Sequence, residues 1–466
     1  MKPNMQIGGS VRPGIVTLVG VLAMAGFVYA QERQITDSPK NHNLDNNDNF
    51  SPDGRFLCYD TRGTVGEGIG NSQSIEKVEI ATGIETVLYA PENTIIGADA
   101  APGVAACTFS AVAEKVAFIH GPPLDQVDER GYYGKPNRNG AEVLADGSQT
   151  LTWLDYRDVD QSRDTLPGAH RGGTHRHEYS LDGSRIGFTY DDFHLPQYGR
   201  TVGYMEPRDD APGNASHYFA LLVPVAPLGK SKPGEIEVAS GDSWIGRHGL
   251  MRAFIGKVRA ADGETYEESL FVIDIPGDVD ITTADAGSAT RYPSPPKGVS
   301  IRRLTHGTAS GTVRGTEDGD RIAYYGEADD GTKQVFIIPS DGSDRDPDPK
   351  KRPVQATKLP EGVDGGIRWH PSGNSIACIS NGGVAVTCVK PGDDFGKSVF
   401  LTAQGEDPER IDLVWSPVGS TLAFGKEAPT KDEDGKPYKT YAGENPTQIF
   451  VCDFPDANGD GVADTI

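Results

Sequence analysis

One short phrase returns along the chain and restricts its fold more than any other feature: an aromatic residue, Ser-Pro-Asp-Gly or a relative of it, a polar pair, then a β-rich run. It reads Phe50-Ser51-Pro52-Asp53-Gly54 before Phe56-Leu57-Cys58-Tyr59, and Trp415-Ser416-Pro417-Val418-Gly419 before Thr421-Leu422-Ala423-Phe424. Tyr179-Ser180-Leu181-Asp182-Gly183 precedes Ile186-Gly187-Phe188, and Trp369-His370-Pro371-Ser372-Gly373 precedes Ile376-Ala377-Cys378. A fifth copy, Thr316-Glu317-Asp318-Gly319, lacks the aromatic, and weaker copies begin at Phe109-Ser110 and Trp244. Each phrase is a tight turn: Pro presets φ, and the Asp-Gly pair supplies the positive φ that closes two antiparallel strands.

A third strand follows in several units, at Ser269 to Ile275, Gln334 to Ile338, Val384 to Val389 and Gln448 to Cys452. A fourth ends in a Leu-Thr pair at Leu304-Thr305 and Leu401-Thr402. Four antiparallel strands make a propeller blade. The spacing of about 61 residues between Gly54 and Gly419 predicts an all-β propeller of seven blades, or six if the unit around Trp244 is absorbed into a neighbour. The last unit ends after its third strand at Cys452, whereas Arg33-Gln34-Ile35-Thr36 resembles a fourth strand without the other three. The N-terminal strand is therefore expected to close the ring beside Ile449 to Cys452, which removes an open sheet edge. Composition agrees, since 58 Gly in 466 residues imply frequent turns and few long helices, while 16 Phe, 17 Tyr and 4 Trp supply a core.

Residues 1–30 stand outside these units. Lys2 and Arg12 precede an apolar run from Ile15 to Val28 that ends in Val28-Tyr29-Ala30, the pattern of a cleaved export signal. The expected division is a signal peptide over 1–30, a propeller over 31–454 and an acidic tail over 455–466, in a periplasmic or secreted monomer without a membrane span. Losing Lys2 and Arg12 leaves the rest two units more negative than the formal −23 of the full sequence. Such a surface repels nucleic acid. The five cysteines sit in apolar runs and read as buried small hydrophobes. Only Cys378 and Cys388, of like parity across an Asn381-Gly382-Gly383 turn, invite a disulfide on one face of a hairpin.

The Ser-Pro-Asp-Gly units resemble the PD40 repeats of TolB-type β-propellers and cover most of residues 33 to 454. That resemblance implies a fold; TolB-like propellers serve as interaction modules, as inactive domains of peptidases and as some lyases. The segment Gly173-Thr174-His175-Arg176-His177-Glu178 is also similar to an uncharacterised bacterial TolB-like family. Val116-Ala117-Phe118-Ile119-His120-Gly121-Pro122 resembles a segment of oligogalacturonate lyases, metal-dependent seven-bladed enzymes in which a further His precedes a Ser-Pro-Asp-Gly repeat, as His177 does here. The resemblance implies catalytic roles for His177 and His120 in a β-eliminating lyase on acidic, uronate-containing oligosaccharide, and Arg176 beside them is a further catalytic candidate. The family's later His-rich metal motif has no match after residue 306.

The histidines cluster, with His120, His170, His175, His177 and His194 in or beside the third unit. On a regular strand His175 and His177 project from one face and Glu178 from the other. The pair is a candidate for two metal ligands, with a third from His170, His120 or a carboxylate such as Asp48, holding manganese or calcium. Arg171, Arg176, Arg314 and Arg368 are candidate cations for a carboxylate, with Glu178 and His194 beside them as substrate contacts. Long segments from Gly121 to Thr174 and from Asp191 to His217 mark the expected working mouth. At the C-terminus Asp456, Asn458, Asp460 and Asp464 are spaced like the oxygen ligands of a calcium loop, without a closing Glu. No serine-hydrolase elbow, phosphate loop or zincin helix is present. The sequence thus supports a propeller that binds a protein or a polysaccharide, with the metal-dependent lyase as its alternative.

Overall fold

The computed structural model describes residues 31–45 and 48–466, so the export signal read in residues 1–30 lies outside the described residues. The chain is a ring of seven antiparallel blades, six of them with four regular strands among the described residues, and the unit around Trp244 is a blade in its own right. Blade 1 holds Phe56–Asp60, Ile75–Glu79 and Glu85–Tyr89, with the isolated bridges Asn43–Asp60 and Phe50–Leu57 in place of a regular innermost strand. Blade 2 runs from Val104–Phe109 through Lys115–His120 and Asn139–Leu144 to Thr152–Trp153. Blade 3 is built from Gly173–Tyr179, Ile186–Asp191, Thr201–Pro207 and His217–Leu221. Blades 4, 5 and 6 begin on the inner strands Ile236–Ile245, Ser310–Gly315 and Gly365–Trp369.

Blade 7 is made from both ends of the chain. Ile411–Trp415, Thr421–Glu427 and Thr447–Asp453 supply three strands, and Arg33–Gln34 supplies the fourth. Arg33 pairs with Val451 and Gln34 with Phe450, and the Ile35 amide donates to the Ile449 carbonyl at 2.8 Å. The closure expected from the sequence is present.

The core lies between blades rather than at one centre. Seven apolar clusters fill the seven interfaces among the described residues. The closing one sets Ile35, Leu44, Phe50 and Tyr59 against Val414, Ala423, Ile449 and Val451. This follows from period-2 strands that are buried on both faces. With four strands per blade, every Ser-Pro-Asp-Gly turn falls on one face of the ring, and the connections between blades fall on the other.

The residues of the C-terminal tail pack onto the turn face of blades 6 and 7. Ala463 is buried with Phe454 in the cluster between those blades, and the Ser375 hydroxyl donates to the Gly461 carbonyl at 2.6 Å. The described cysteines are all buried free thiols. The shared face expected for Cys378 and Cys388 is corrected by the register: Ser380 pairs with Gly383 across the two-residue turn Asn381-Gly382, so Cys378 meets Ala385 and Cys388 meets Ser375. Across a turn of two residues, positions of like parity face opposite sides.

Candidate functional site

The innermost segment of every blade contains a residue of positive φ. Glycine holds the place in blades 4, 5 and 6, as Gly241, Gly311 and Gly366; Asp45, Ala106, Arg176 and Asp412 hold it in the other four. Where a strand runs through it, the pairing register slips at that point, as in a β-bulge. In blade 3, Glu178 pairs with Gly187 while His175 pairs with Thr189, so Arg176 and His177 together oppose Phe188. The same-face reading of His175 and His177 is thereby overturned, because the bulge inserts one residue into the alternation.

His177 turns between blades 2 and 3. Its ring lies so close to Gly140 that a Cβ there would stand 2.6 Å from Nε2, and Nε2 contacts the Thr174 hydroxyl at 3.1 Å. Burial holds its pKa down at about 4. His170 is buried beside it, with Nε2 3.4 Å from Asp155. Burial works to raise the pKa of Asp155, but His170, His177 and the Thr174 hydroxyl hold it at about 2. His120 belongs to the interface with blade 1, where Nε2 meets the Tyr89 hydroxyl at 3.0 Å and Nδ1 the Gly121 carbonyl at 2.6 Å. Its pKa is also held down at about 4 by burial. Arg171 pins its own loop, donating to Thr165, Asp160 and Arg163, and His194 packs edge-on against Phe193. Among the described residues no three His, Cys, Asp or Glu side chains are grouped as a metal ion requires.

Glu178, Arg314 and Arg368 stand together, apart from His120, His170 and His177. The first three line a cavity of about 210 Å³ at the turn-face end of the channel, whose wall comes from all seven blades. Phe50, Phe109, Tyr179, Trp244, Trp369 and Trp415 ring it. Arg176 reaches across from blade 3 to blade 5, where its Nη1 donates to the Thr312 hydroxyl at 2.9 Å. Glu178 is largely committed: Arg252 donates to it at 2.9 Å and Ser243 at 2.6 Å, while Arg314 stands 3.9 Å away. Burial works against its charge, yet Arg252, Arg314 and the Ser243 hydroxyl keep its pKa below the ordinary value.

Arg314 and Arg368 are both buried. Burial and the neighbouring Arg314 bring the Arg368 pKa down to about 9, and burial and Arg176 lower that of Arg314. The carboxylates of Asp48 and Glu178 in the same wall offset part of this charge; the arginines' mutual repulsion out of water still favours a further anion. Sequence reasoning placed these two arginines near the inner strands but missed Arg252, His370 and Trp415. A signal was available: the residue before the aromatic of the turn phrase, or before Gly315 in its place, lines the cavity in six blades, as Asn49, Glu178, Ser243, Arg314, Arg368 and Val414.

The C-terminal carboxylates turn onto their own backbone. Asp456 accepts from the amides of Asp460 and Gly461, Asn458 from that of Asp460, and Asp464 from that of Ala457, while Asp460 pairs with Lys390 at 3.0 Å.

Fold and channel together define a closed seven-bladed β-propeller. Within that class the chain belongs to the family of the uncharacterized protein YidR of Escherichia coli strain K12, with which it is 31% identical over 434 residues, covering 86% of this chain and 97% of that protein. A family profile described only as a protein of unknown function, DUF3748, matches residues 103–208. Among solved structures, the chain is similar in fold to an oligogalacturonate lyase in complex with manganese, at 12% identity and a TM-score of 0.40 over 92% of this chain and 94% of that one. It is also similar to a putative TolB from Agrobacterium tumefaciens, at 13% identity and a TM-score of 0.37 over 80% and 94%. No helix among the described residues is long and apolar enough to cross a membrane.

Proposed function

We propose that the protein is an exported binding propeller that takes a carboxylate of an acidic polysaccharide into the turn-face mouth of its channel. The observation that carries this reading is the pair of buried guanidiniums, Arg314 and Arg368, in the wall of a small cavity of a strongly acidic chain. Arginine forks suit a carboxylate, and the surrounding aromatic rings suit the C–H face of a pyranose. A cavity of about 210 Å³ is smaller than an ordinary drug-sized pocket and fits one sugar residue at a chain end better than a long segment.

Binding without bond cleavage is favoured over the metal-dependent lyase by the histidines. His370 lines the cavity, but its Nδ1 contacts the Ser372 hydroxyl at 2.8 Å and its ring packs on Trp415 and Phe454. His177 and His120 stand in interfaces between blades. Calorimetric titration of the mature protein with oligogalacturonate, beside the double variant R314Q/R368Q, tests the proposal. Saturable binding that weakens tenfold or more in the variant, about 1.4 kcal/mol, is expected. Equal binding by both proteins overturns it, and preferential binding of polyglutamate would make the ligand an acidic protein segment. Ultraviolet absorbance of an unsaturated uronate product in the same mixture, together with bound manganese or calcium, would restore the lyase.

A further inference from the structure

The opposite, connection face of blades 2 and 3 holds a second concentration of positive charge, made by different residues. Arg138 immediately precedes the strand Asn139–Leu144, and its side chain is 2% exposed. Its Nη1 donates to the Tyr133 hydroxyl at 2.9 Å. The carboxylate of Asp191 stands 3.9 Å from Nη2 and is already gripped by Arg200, through Nε at 3.0 Å and Nη2 at 2.5 Å. One carboxylate therefore serves two guanidiniums. Nε and Nη2 of Arg138 have no hydrogen-bond partner among the described residues, and neither has Nδ1 of His175.

Those two nitrogens form the side edge of the guanidinium, the edge that Arg200 presents to Asp191. Two parallel N–H groups at that spacing match two oxygens of a carboxylate, phosphate or sulfate. His175 pairs with Thr189, two residues before Asp191 on the same strand, so its side chain shares the face of Asp191; burial, then the field of Arg138, Arg200 and Arg176, keeps its ring neutral. A neutral imidazole can present an N–H at Nδ1 without adding charge. The Tyr133 hydroxyl, which accepts from Arg138, keeps its own proton to donate.

We propose that Arg138, His175 and Arg200, with Tyr133 beside them, form a site for one small oxyanion of phosphate or sulfate size at the connection face. Arg138 supplies the bidentate fork, His175 a third donor, and Arg200 the second positive charge while it keeps Asp191 from closing on Arg138. The site shares no residue with the turn-face cavity.

The test uses the full mature protein and inorganic phosphate, with sulfate as the second probe, read by calorimetry and by the shift in melting temperature. Wild type is expected to take up one phosphate saturably. R138Q should weaken that uptake about tenfold or more, as loss of a bidentate charged contact does. H175N, which leaves every guanidinium in place, should weaken it several-fold and serves as the measurement if R138Q does not fold. R314Q/R368Q should bind phosphate as wild type does. Absence of saturable uptake by wild type overturns the site, as does unchanged affinity in both R138Q and H175N. Loss of uptake in R314Q/R368Q alone would move the ion to the turn-face cavity and overturn it equally. Failure of the uronate titration leaves this result untouched, so the two readings fall separately.

Discussion

Blades 3 and 6 carry the same turn phrase and the same inner-strand bulge, yet they put them to different uses. In blade 6 the bulge residue is Gly366, at φ 76°, and the two following strands, Ser375–Ser380 and Gly383–Cys388, are buried along their whole length. In blade 3 the bulge residue is Arg176, at φ 56°, and its neighbours are His175, His177 and Glu178. A bulge is needed in both to fit a twisted strand around the channel. The occupant decides what the bulge does: glycine leaves a spacer, whereas arginine turns the same kink into an arm that crosses to Thr312. Blade 3 also rests on the buried group of Asp155, Thr174, His170 and His177, for which blade 6 has no counterpart among its apolar strands.

The comparison breaks most visibly at Asp155. Asp155→Ala removes the acceptor of Thr174, Asn139 and the Gly140 amide together, and should destabilise the protein by about 3–5 kcal/mol in urea unfolding. The blade 6 counterpart Ser380→Ala removes one bond, to the Gly362 carbonyl, and should cost about 1 kcal/mol. The Asp155 contribution carries a pH signature. Because its folded pKa, about 2, lies below the unfolded value, the stabilisation is complete above about pH 4 and is lost as pH falls through 2. A wild-type acid limb that persists unchanged in Asp155→Ala would contradict the assignment.

Exchanging the bulge residues sharpens the contrast. A Cβ at Gly366 would stand 2.9 Å from Leu413 Cβ in a backbone conformation that already disfavours side chains, so Gly366→Arg should cost about 2–4 kcal/mol. Arg176→Gly relieves that same backbone and loses the bond to Thr312, and its melting curve should stay within about 1 kcal/mol of wild type. Equal losses in the two variants would show that the bulges are not interchangeable devices.

An effect confined to pH is expected at the bulge of blade 7. Burial, then the carboxylates of Asp45 and Asp60, push the Asp412 pKa up to about 6. Its folded pKa exceeds the unfolded value, so ionising it costs stability as pH rises toward and through 6. Asp412→Asn should therefore match wild type at pH 4 and exceed it at pH 7 in thermal unfolding. A constant difference across that range would place the shift elsewhere.

The architecture was legible because turns advertise themselves: Pro and Asp-Gly recur where φ must be set, and counting them returned seven blades and the closing strand. The side-chain directions were not. Pairing His175 with His177 assumed unbroken alternation, but nothing in the residue types of Ala106 or Arg176 marks a positive φ, and Asp45 and Asp412 hint at one only weakly. Pairing Cys378 with Cys388 failed by the same parity count, taken across a turn of two residues. Arg314 and Arg368 were found because they sit close to a turn phrase, on the near side of which the count needs no alternation. Asp155 was missed, since its partners come from strands and connections of two different blades.

The seam in blade 7 joins the first-made part of the described chain to the last-made part. Arg33 and Gln34 leave the ribosome long before Phe450 and Val451, their only ladder partners. Until then Leu44, Phe50 and Tyr59 lack Val414, Ala423, Ile449 and Val451, the partners of their shared apolar face. A chain interrupted before the strand Thr447–Asp453 is complete lacks part of the ladder for Arg33 and Gln34 and of the cover for that face. Closure thus makes burial of the first blade's apolar face conditional on the last strand of the chain.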